Sequence, residues 1–241
     1  MAKNHLKRVS APASWLIGRK EGKMIARPKG SFSFEMGMPL ITALKDILGL
    51  VKTRKEGKLV LNTKSILVNG KRRKDEKFMI GLMDIVGISD LGRSYRVLLD
   101  RKGSLRLVPL SDSEASVKLC RVIGKRAVKG GKVQLSLHDG RSLLGREELS
   151  EHKAGDTVVL ELPSNKIAQH IKLENGCQAY LIGGSHVGCT GVGEHVLGDE
   201  RGKVIIRIGD DVVESAKRFV FAIGKGEQGK PVIKSVVSNG E

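Results

Sequence analysis

Four consecutive cations, Lys71-Arg72-Arg73-Lys74, stand directly behind an Asn69-Gly70 pair, and Lys77 follows three residues on. Side chains of this kind at this density bind phosphate, lysine as a point charge and arginine as a fork of donors. Just upstream, Lys52, Arg54, Lys55, Lys58 and Lys64 surround Thr53. Residues 1–38 add Lys3, Lys7, Arg8, Arg19, Lys20, Lys23, Arg27 and Lys29, against Glu21 and Glu35 as acids. Across residues 1–110, 24 Lys and Arg face 9 Asp and Glu, a net of +15; residues 111–241 hold 19 against 17, a net of +2. Uncompensated like charge weakens a compact state unless a polyanion lies against it. Nucleic acid is the abundant intracellular polyanion, so the N-terminal half is expected to bind RNA or DNA.

Other chemistry finds no matching spacing. His5, His138, His152, His170, His186 and His195 form no HExxH or similar ligand pattern. Cys120, Cys177 and Cys189 are widely spaced and form no CxxC pair, so no metal, cofactor or disulfide is expected, and a reducing cytoplasm fits. Gly124-Lys125 and Gly224-Lys225 lack the earlier glycine and following Ser or Thr of a phosphate loop. No run of about 18 apolar residues could cross a membrane, and the first 15 residues lack the apolar segment of a secretory signal. Neither a membrane nor a small-molecule substrate is expected. The eight aromatic residues are scattered. That favours phosphate and shape contacts to a folded RNA helix or junction over base stacking.

The elements that must position the cations can be read from pattern. Pro12, Pro28 and Gly30 break residues 1–38 into an extended basic arm, with Trp15, Leu16 and Ile17 as its apolar anchor. Pro39 opens a helix whose Leu40, Ile41, Leu44, Ile47 and Leu48 share one face, and Gly49 ends it. A second, shorter helix starts at Thr53, with Glu56 completing a capping box. Gly57 within it marks a close approach or a weak spot. Asn69-Gly70 then joins the apolar Ile66–Val68 run to the cationic run as a hairpin, since a two-residue type I′ turn needs positive φ twice. Four cations in sequence cannot all avoid one face of a strand, so the hairpin lies on the surface. Beyond residue 105, short strand-prone runs alternate with turn signals: 133–137 before Asp139-Gly140, then 158–160, 179–182, 204–208 and 219–223. Such texture fits small barrels or sandwiches.

The helix, helix and hairpin order across residues 39–105 resembles the alpha-L RNA-binding domain found in bacterial small-subunit ribosomal protein four, pseudouridine synthases and tyrosyl-tRNA synthetases. The matching positions are Thr53, Arg54, Lys55, Lys58 and Val68-Asn69-Gly70 with the cations after it, and Gly81–Val86 fits that domain's closing strand. The resemblance implies that the second helix and hairpin form one face against an RNA helix. Gly183–Val192 resembles the KOW motif on a Src-homology-three-like barrel, but Val187 and Cys189 flank Gly188 where cations are usual. Gly184, Ser185, His186, Gly188 and Gly191 could serve there as RNA contacts or as a structural turn. Taken with His5–Arg8, Ala11-Pro12 and Ser14-Trp15, the whole chain resembles the archaeal and eukaryotic small-ribosomal-subunit protein four family, with a length that looks archaeal. Lys29–Phe34 departs from the Pro-Gly-Pro-His-like segment usual in that family, so RNA contacts there are not carried over.

The expected fold class is α+β and multidomain: a basic N-terminal arm (1–38), an alpha-L RNA-binding domain of two helices plus a β-hairpin (39–105), a central small β domain (106–172) and a C-terminal Src-homology-three-like KOW barrel (173–241). The resemblance implies a structural component of the cytoplasmic ribosome, with small-subunit ribosomal RNA and neighbouring small-subunit proteins as partners. Two alternatives stand beside it. One is a free assembly or transcription factor carrying a KOW domain. The other is a pseudouridine synthase, which the sequence disfavours because Arg96-Val97-Leu98-Leu99-Asp100 places two extra residues between Arg96 and the Leu-Asp pair. If affinity comes mainly from counterion release, six to ten phosphate contacts predict a loss of about 10³–10⁵ in RNA affinity between about 50 and 200 mM salt. A filter-binding titration giving a flat salt dependence would contradict that origin.

Overall fold

Residues 4–146, 149–196 and 202–224 are described by a computed structural model. Lys3 therefore lies outside the described residues. The chain is mostly strand with few helices, an α+β architecture. Its contacts divide it into two units, residues 1–99 with 104–116 and residues 100–103 with 117–241.

In the first unit, β1 (Leu6–Lys7) pairs with β2 (Met24–Ile25) and closes the N-terminal segment into a loop. β3 (Gly37–Pro39) runs into α1 (Leu40–Thr42), which continues as a π-helical turn over Ala43–Ile47. α2 (Arg54–Thr63) comes next, then β4 (Ile66–Val68), β5 (Lys71–Arg72), β6 (Met79–Gly81), β7 (Ile85–Ile88), β8 (Arg93–Leu99), β9 (Leu105–Leu110) and the short α3 (Asp112–Ala115). Five of the strands form an antiparallel sheet in the order β5-β4-β7-β8-β9, and β3 pairs with β6 separately.

Three local features differ from the sequence expectation. The N-terminal segment is not extended. Arginines help to fold it back: Arg8, 4% exposed, donates to Gly18 O, Glu21 and Asp46, and Arg19 donates to the carbonyls of Val9, Ala11 and Pro12. Of the expected anchor Trp15, Leu16 and Ile17, Trp15 alone is buried, its indole N–H donating to Phe34 O at 2.9 Å and Gly37 O at 3.0 Å, while Leu16 is exposed and Ile17 half-buried. The helix after Pro39 has no single apolar face, since Leu40, Ile41, Thr42, Ala43 and Leu44 are all buried. Pro39 caps it in an extended conformation instead of opening its first turn, and the extra residue of the π turn is closed by Leu48 N–H donating to Ala43 O. Gly49 ends it at φ 63°, as expected. Finally, Gly81–Val86 is not one strand. It spans the end of β6, a turn with Met83 at φ 65°, and the start of β7.

In the second unit, β10 (Val117–Val128), β11 (Lys132–Leu137), β12 (Ser142–Gly145), β13 (Thr157–Glu161) and β14 (Ile167–Ile171) form a sheet ordered β12-β11-β10-β13-β14. Cys120, Val122, Leu135, Leu137, Leu149, Val158 and Leu160 make its core. A buried ion pair, Lys118 to Asp139 at 2.6 Å, sits beside it. A second sheet, ordered β18-β17-β16-β15-β19, consists of β15 (Gln178–Leu181), β16 (Thr190–Val196), β17 (Lys203–Ile208), β18 (Asp211–Ala216) and β19 (Val220–Gly224). The strand-prone runs read from the sequence fall on these strands to within a residue or two.

Because Trp15 fills the first unit and satisfies two carbonyls, Trp15→Ala is expected to lower unfolding stability by about 3–5 kcal/mol. Trp15→Phe, which keeps an aromatic ring but not the donor, should lower it by about 1–2 kcal/mol. Chemical denaturation of the two variants beside the parent chain checks the order.

Candidate nucleic-acid interface

α2 starts where its cap dictates. Thr53 Oγ1 accepts from Glu56 N–H at 3.2 Å, and the Glu56 carboxylate accepts from the N–H groups of Lys52 at 2.8 Å and Thr53 at 3.4 Å. This reciprocal cap fixes the first turn and therefore the directions of Arg54, Lys55 and Lys58. The Thr53 hydroxyl is thus engaged within the chain.

The hairpin is fixed from below. Asn69 (φ 53°) and Gly70 (φ 75°) form the expected turn, and Leu67↔Arg72 and Val68↔Lys71 set the register. Asn69 is buried, with its amide donating to Asp84 Oδ1 at 2.8 Å and its oxygen accepting from Ile85 N–H at 3.0 Å. Asp84 Oδ2 in turn accepts from Gly81 N–H at 2.8 Å. The sequence places Asn69 among the RNA contacts. The structure instead uses its side chain to hold the hairpin to the β6–β7 turn.

Helix and hairpin meet through charge. Arg54 grips Glu76 in a two-pronged pair, Nε to Oε2 at 2.8 Å and Nη2 to Oε1 at 2.6 Å, and Lys58 Nζ reaches the same carboxylate at 3.4 Å. Arg54 holds the Glu76 carboxyl below the usual carboxylate range, while Glu76 raises the Arg54 guanidinium. Both cations keep more than half of their side-chain surface in solvent, at 53% and 57%. They can therefore face a ligand while still paired. From the hairpin side, Arg72 Nη2 donates to Asn62 O at 2.8 Å and Lys64 O at 3.4 Å, at the C-terminal end of α2. A cation there satisfies open carbonyls and opposes the helix dipole. Arg73 stacks on Phe78 at 4.4 Å from the ring centre.

The predicted cations therefore differ in role. Lys52, Lys55, Lys71 and Lys74 are exposed around the α2–hairpin junction with Gly70, and Lys77 is half-buried. Lys64 pairs with Asp90 at 3.2 Å in solvent, a contact of little energetic weight. Lys7, Lys20, Lys23 and Lys29 are exposed on the N-terminal segment, and Arg27 lies over Phe34. Arg8 does not belong with them, because it is buried with its guanidinium committed to Glu21 and Asp46. Glu76 escapes the sequence reading, although an acid two residues beyond four cations is a legible sign of a counter-ion.

The glycine-rich run at 183–192 spans most of the β15–β16 connection and the first three residues of β16. Gly184, Ser185 and His186 are exposed, whereas Gly188 (φ 78°) is buried. A Cβ on Gly188 would stand 2.5 Å from the Asp100 carbonyl carbon, and one on Gly191 would stand 2.4 Å from Arg207 O. These two glycines are there for close backbone packing. Arg96, from the near-miss catalytic pattern, is fully buried, and burial lowers its guanidinium to about 10; its Nη2 donates to Glu114 O at 3.0 Å. Among the described residues, no cluster of three or more His, Cys, Asp or Glu could hold a metal, and no helix is long and apolar enough to cross a membrane.

Known proteins resemble this chain in sequence and in overall fold. Residues 2–30 match the RS4NT (NUC023) domain model and residues 91–167 match the Ribosomal family S4e model. The small ribosomal subunit protein eS4 of Methanocella arvoryzae is 37% identical over 229 residues, covering 93% of this chain and 96% of its own. That of Methanosphaera stadtmanae is 34% identical over 242 residues, covering 99% and 98%. The chain belongs to the eS4 family of small-ribosomal-subunit proteins. It is a structural component of the small subunit and not an enzyme. The crystal structure of 30S ribosomal protein S4e from Thermoplasma acidophilum is similar in fold, with a TM-score of 0.69 at 30% identity over 80% of this chain and 96% of that one.

The division of roles predicts opposite phenotypes. Asn69→Ala removes one donor from the buried Asp84 carboxylate, leaves the Ile85 N–H without its acceptor and places a residue without a polar side chain at positive φ, so it should cost about 2–4 kcal/mol of stability. Lys71→Ala with Lys74→Ala removes exposed side chains that have no ion-pair partner among the described residues and should stay within about 0.5 kcal/mol of the parent, while RNA affinity falls. Thermal unfolding and filter binding on the same preparations separate the two.

Proposed function

We propose that this eS4 chain is held in the small subunit by ribosomal RNA lying across the α2–hairpin surface, with the exposed lysines of the N-terminal segment extending the contact. One observation carries the reading. Arg54 and Lys58 from α2 share the carboxylate of Glu76, two residues past Lys74, while Arg72 returns to the end of α2. Helix cations and hairpin cations thus form one surface with more positive charge than its own acids neutralise. Phosphate contacts from such a surface fix orientation and supply affinity without reading sequence.

In this reading the contacts are Lys7, Lys20, Lys23 and Lys29, then Lys52, Arg54, Lys55, Lys58, Lys71, Lys74 and Lys77, with Gly70 allowing close backbone approach. Arg72, exposed but donating to the α2 carbonyls, and Arg73, half-buried on Phe78, position that surface. The four-part division into arm, alpha-L domain, central β domain and KOW barrel is part of the same reading, supported by the capping box, the Asn-Gly hairpin and the glycine packing at Gly188 and Gly191. Neighbouring small-subunit proteins are the partners for surface not facing RNA, in the cytoplasm where ribosomes work. Gly184, Ser185 and His186 remain available at the β15–β16 connection for RNA or protein.

The test is retention. A component built into the particle stays on small subunits through a high-salt wash, whereas an assembly or transcription factor is released. Tagged chain expressed in an archaeal host should sediment with washed small subunits. Its recovery solely in the wash would sink the proposal.

A further inference from the structure

Residues 111–241 carry a charge concentration that their net of +2 conceals. Residues 121–138 contain Arg121, Lys125, Arg126, Lys129 and Lys132 and no acid. The β10–β11 hairpin folds this stretch into a projecting finger, in which all eight residues from 125 to 132 are exposed. A β-bulge between Val122 and Gly124 bends β10 just before the finger begins, a device that re-aims the rest of a strand. The connection is a three-residue turn, 129–131, with Val128 opposite Lys132.

The register sorts the side chains. Lys125, Ala127, Val133 and Leu135 alternate onto the side that carries the core, where Leu135 is buried and Val133 and Leu143 pack. Gly124, Arg126, Val128, Lys132, Gln134, Ser136, Ser142 and Leu144 share the other side. Arg126 and Lys132 are diagonal neighbours there, about 7–8 Å apart at their Cα atoms. Lys129 sits in the turn beyond them, and Gln134, Ser136 and Ser142 continue the same face with small hydrogen-bonding groups. Lys125 is occupied, its ammonium donating to Ser150 O. Arg126, Lys129 and Lys132 have no ion-pair partner among the described residues, and the finger holds no aromatic on which a base could stack.

We propose that this hairpin is a second, independent RNA-contacting element, in which Arg126, Lys129 and Lys132 seat on the phosphates of a ribosomal RNA backbone while Gln134, Ser136 and Ser142 meet its sugars. The inference rests on the reading of the chain as bound to small-subunit ribosomal RNA, but it concerns a different unit and different residues. Three cations with no ion-pair partner among the described residues repel one another on one exposed hairpin unless a polyanion lies against them, and RNA is the polyanion that a small-subunit component meets.

Filter binding and hydroxyl-radical footprinting of the full chain on an archaeal 16S ribosomal RNA transcript test it. The triple variant Arg126→Ala, Lys129→Ala, Lys132→Ala is compared with Lys153→Ala, Lys166→Ala, Lys172→Ala, which removes the same charge from exposed positions of the same unit. The finger variant should bind about tenfold or more weakly, with a salt slope shallower by about 0.7–0.9 for each phosphate no longer neutralised. It should also lose a patch of protection that the Lys71→Ala, Lys74→Ala variant retains. The control triple should stay within about twofold of the parent by the same charge reasoning. Equal weakening in both triples would reduce the effect to bulk charge and overturn the proposal. So would an unchanged footprint in the finger variant, including the case where that variant falls off assembled particles, which would make the finger a protein contact. In each of those outcomes the parent chain still binds. If the parent itself gives no footprint, the underlying reading fails with the proposal.

Discussion

A single buried amide determines whether the cationic surface exists. Asn69 stands at the turn that launches Lys71–Lys74, and its side chain is directed entirely inward, to Asp84 and the Ile85 N–H. Asp84 extends the link to Gly81, so the hairpin, the end of β6 and the start of β7 are tied at one point. Buried polar groups of this kind are stabilising only when every member is satisfied, which makes the arrangement specific as well as strong. Without that tie, a strand of two residues, Lys71–Arg72, would have little to hold it against the repulsion of its own side chains.

Repulsion is managed rather than avoided. Glu76 accepts from two α2 cations, Arg72 answers the α2 carbonyls, and Arg73 lies on Phe78. Arg8 goes further and becomes interior structure, bridging Gly18, Glu21 and Asp46. The basic residues of the first unit therefore fall into two sets. One set is consumed in building the unit, and the other, mostly lysine, is left in solvent. Arginine suits the first task because its planar fork can satisfy several acceptors at once, and lysine suits the second because its charge stays hydrated until displaced.

Much of this is legible in the sequence. The Thr53–Glu56 cap, the Asn69-Gly70 turn, the Gly49 stop and the runs that form β11, β13, β15, β17 and β19 are local signals, set by residues close together in the chain, whereas β12, β14, β16 and β18 are not read from the sequence. The departures are nonlocal. The first turn of the helix after Pro39, residues 40–44, is buried all round, which a one-face reading of Leu40, Ile41 and Leu44 does not anticipate. Gly81–Val86 reads as one closing strand because nothing in its composition marks Met83 as left-handed. Arg8 and Arg19 read as surface charge because many of their acceptors are backbone carbonyls, which every sequence has and none advertises. The finger at 125–132 is hidden for another reason: a charge averaged over 131 residues conceals a run of 18 without an acid.

The Glu76 carboxylate has a consequence for the life of the chain before it joins any particle. Sitting between Arg54 and Lys58, it does within the polypeptide what a phosphate would do from outside. The basic face is thereby shaped in advance, in plain water, and does not wait on a nucleic acid to organise it. An incoming strand meets side chains already aligned, and the entropy of aligning them has been settled during folding instead of at the moment of docking.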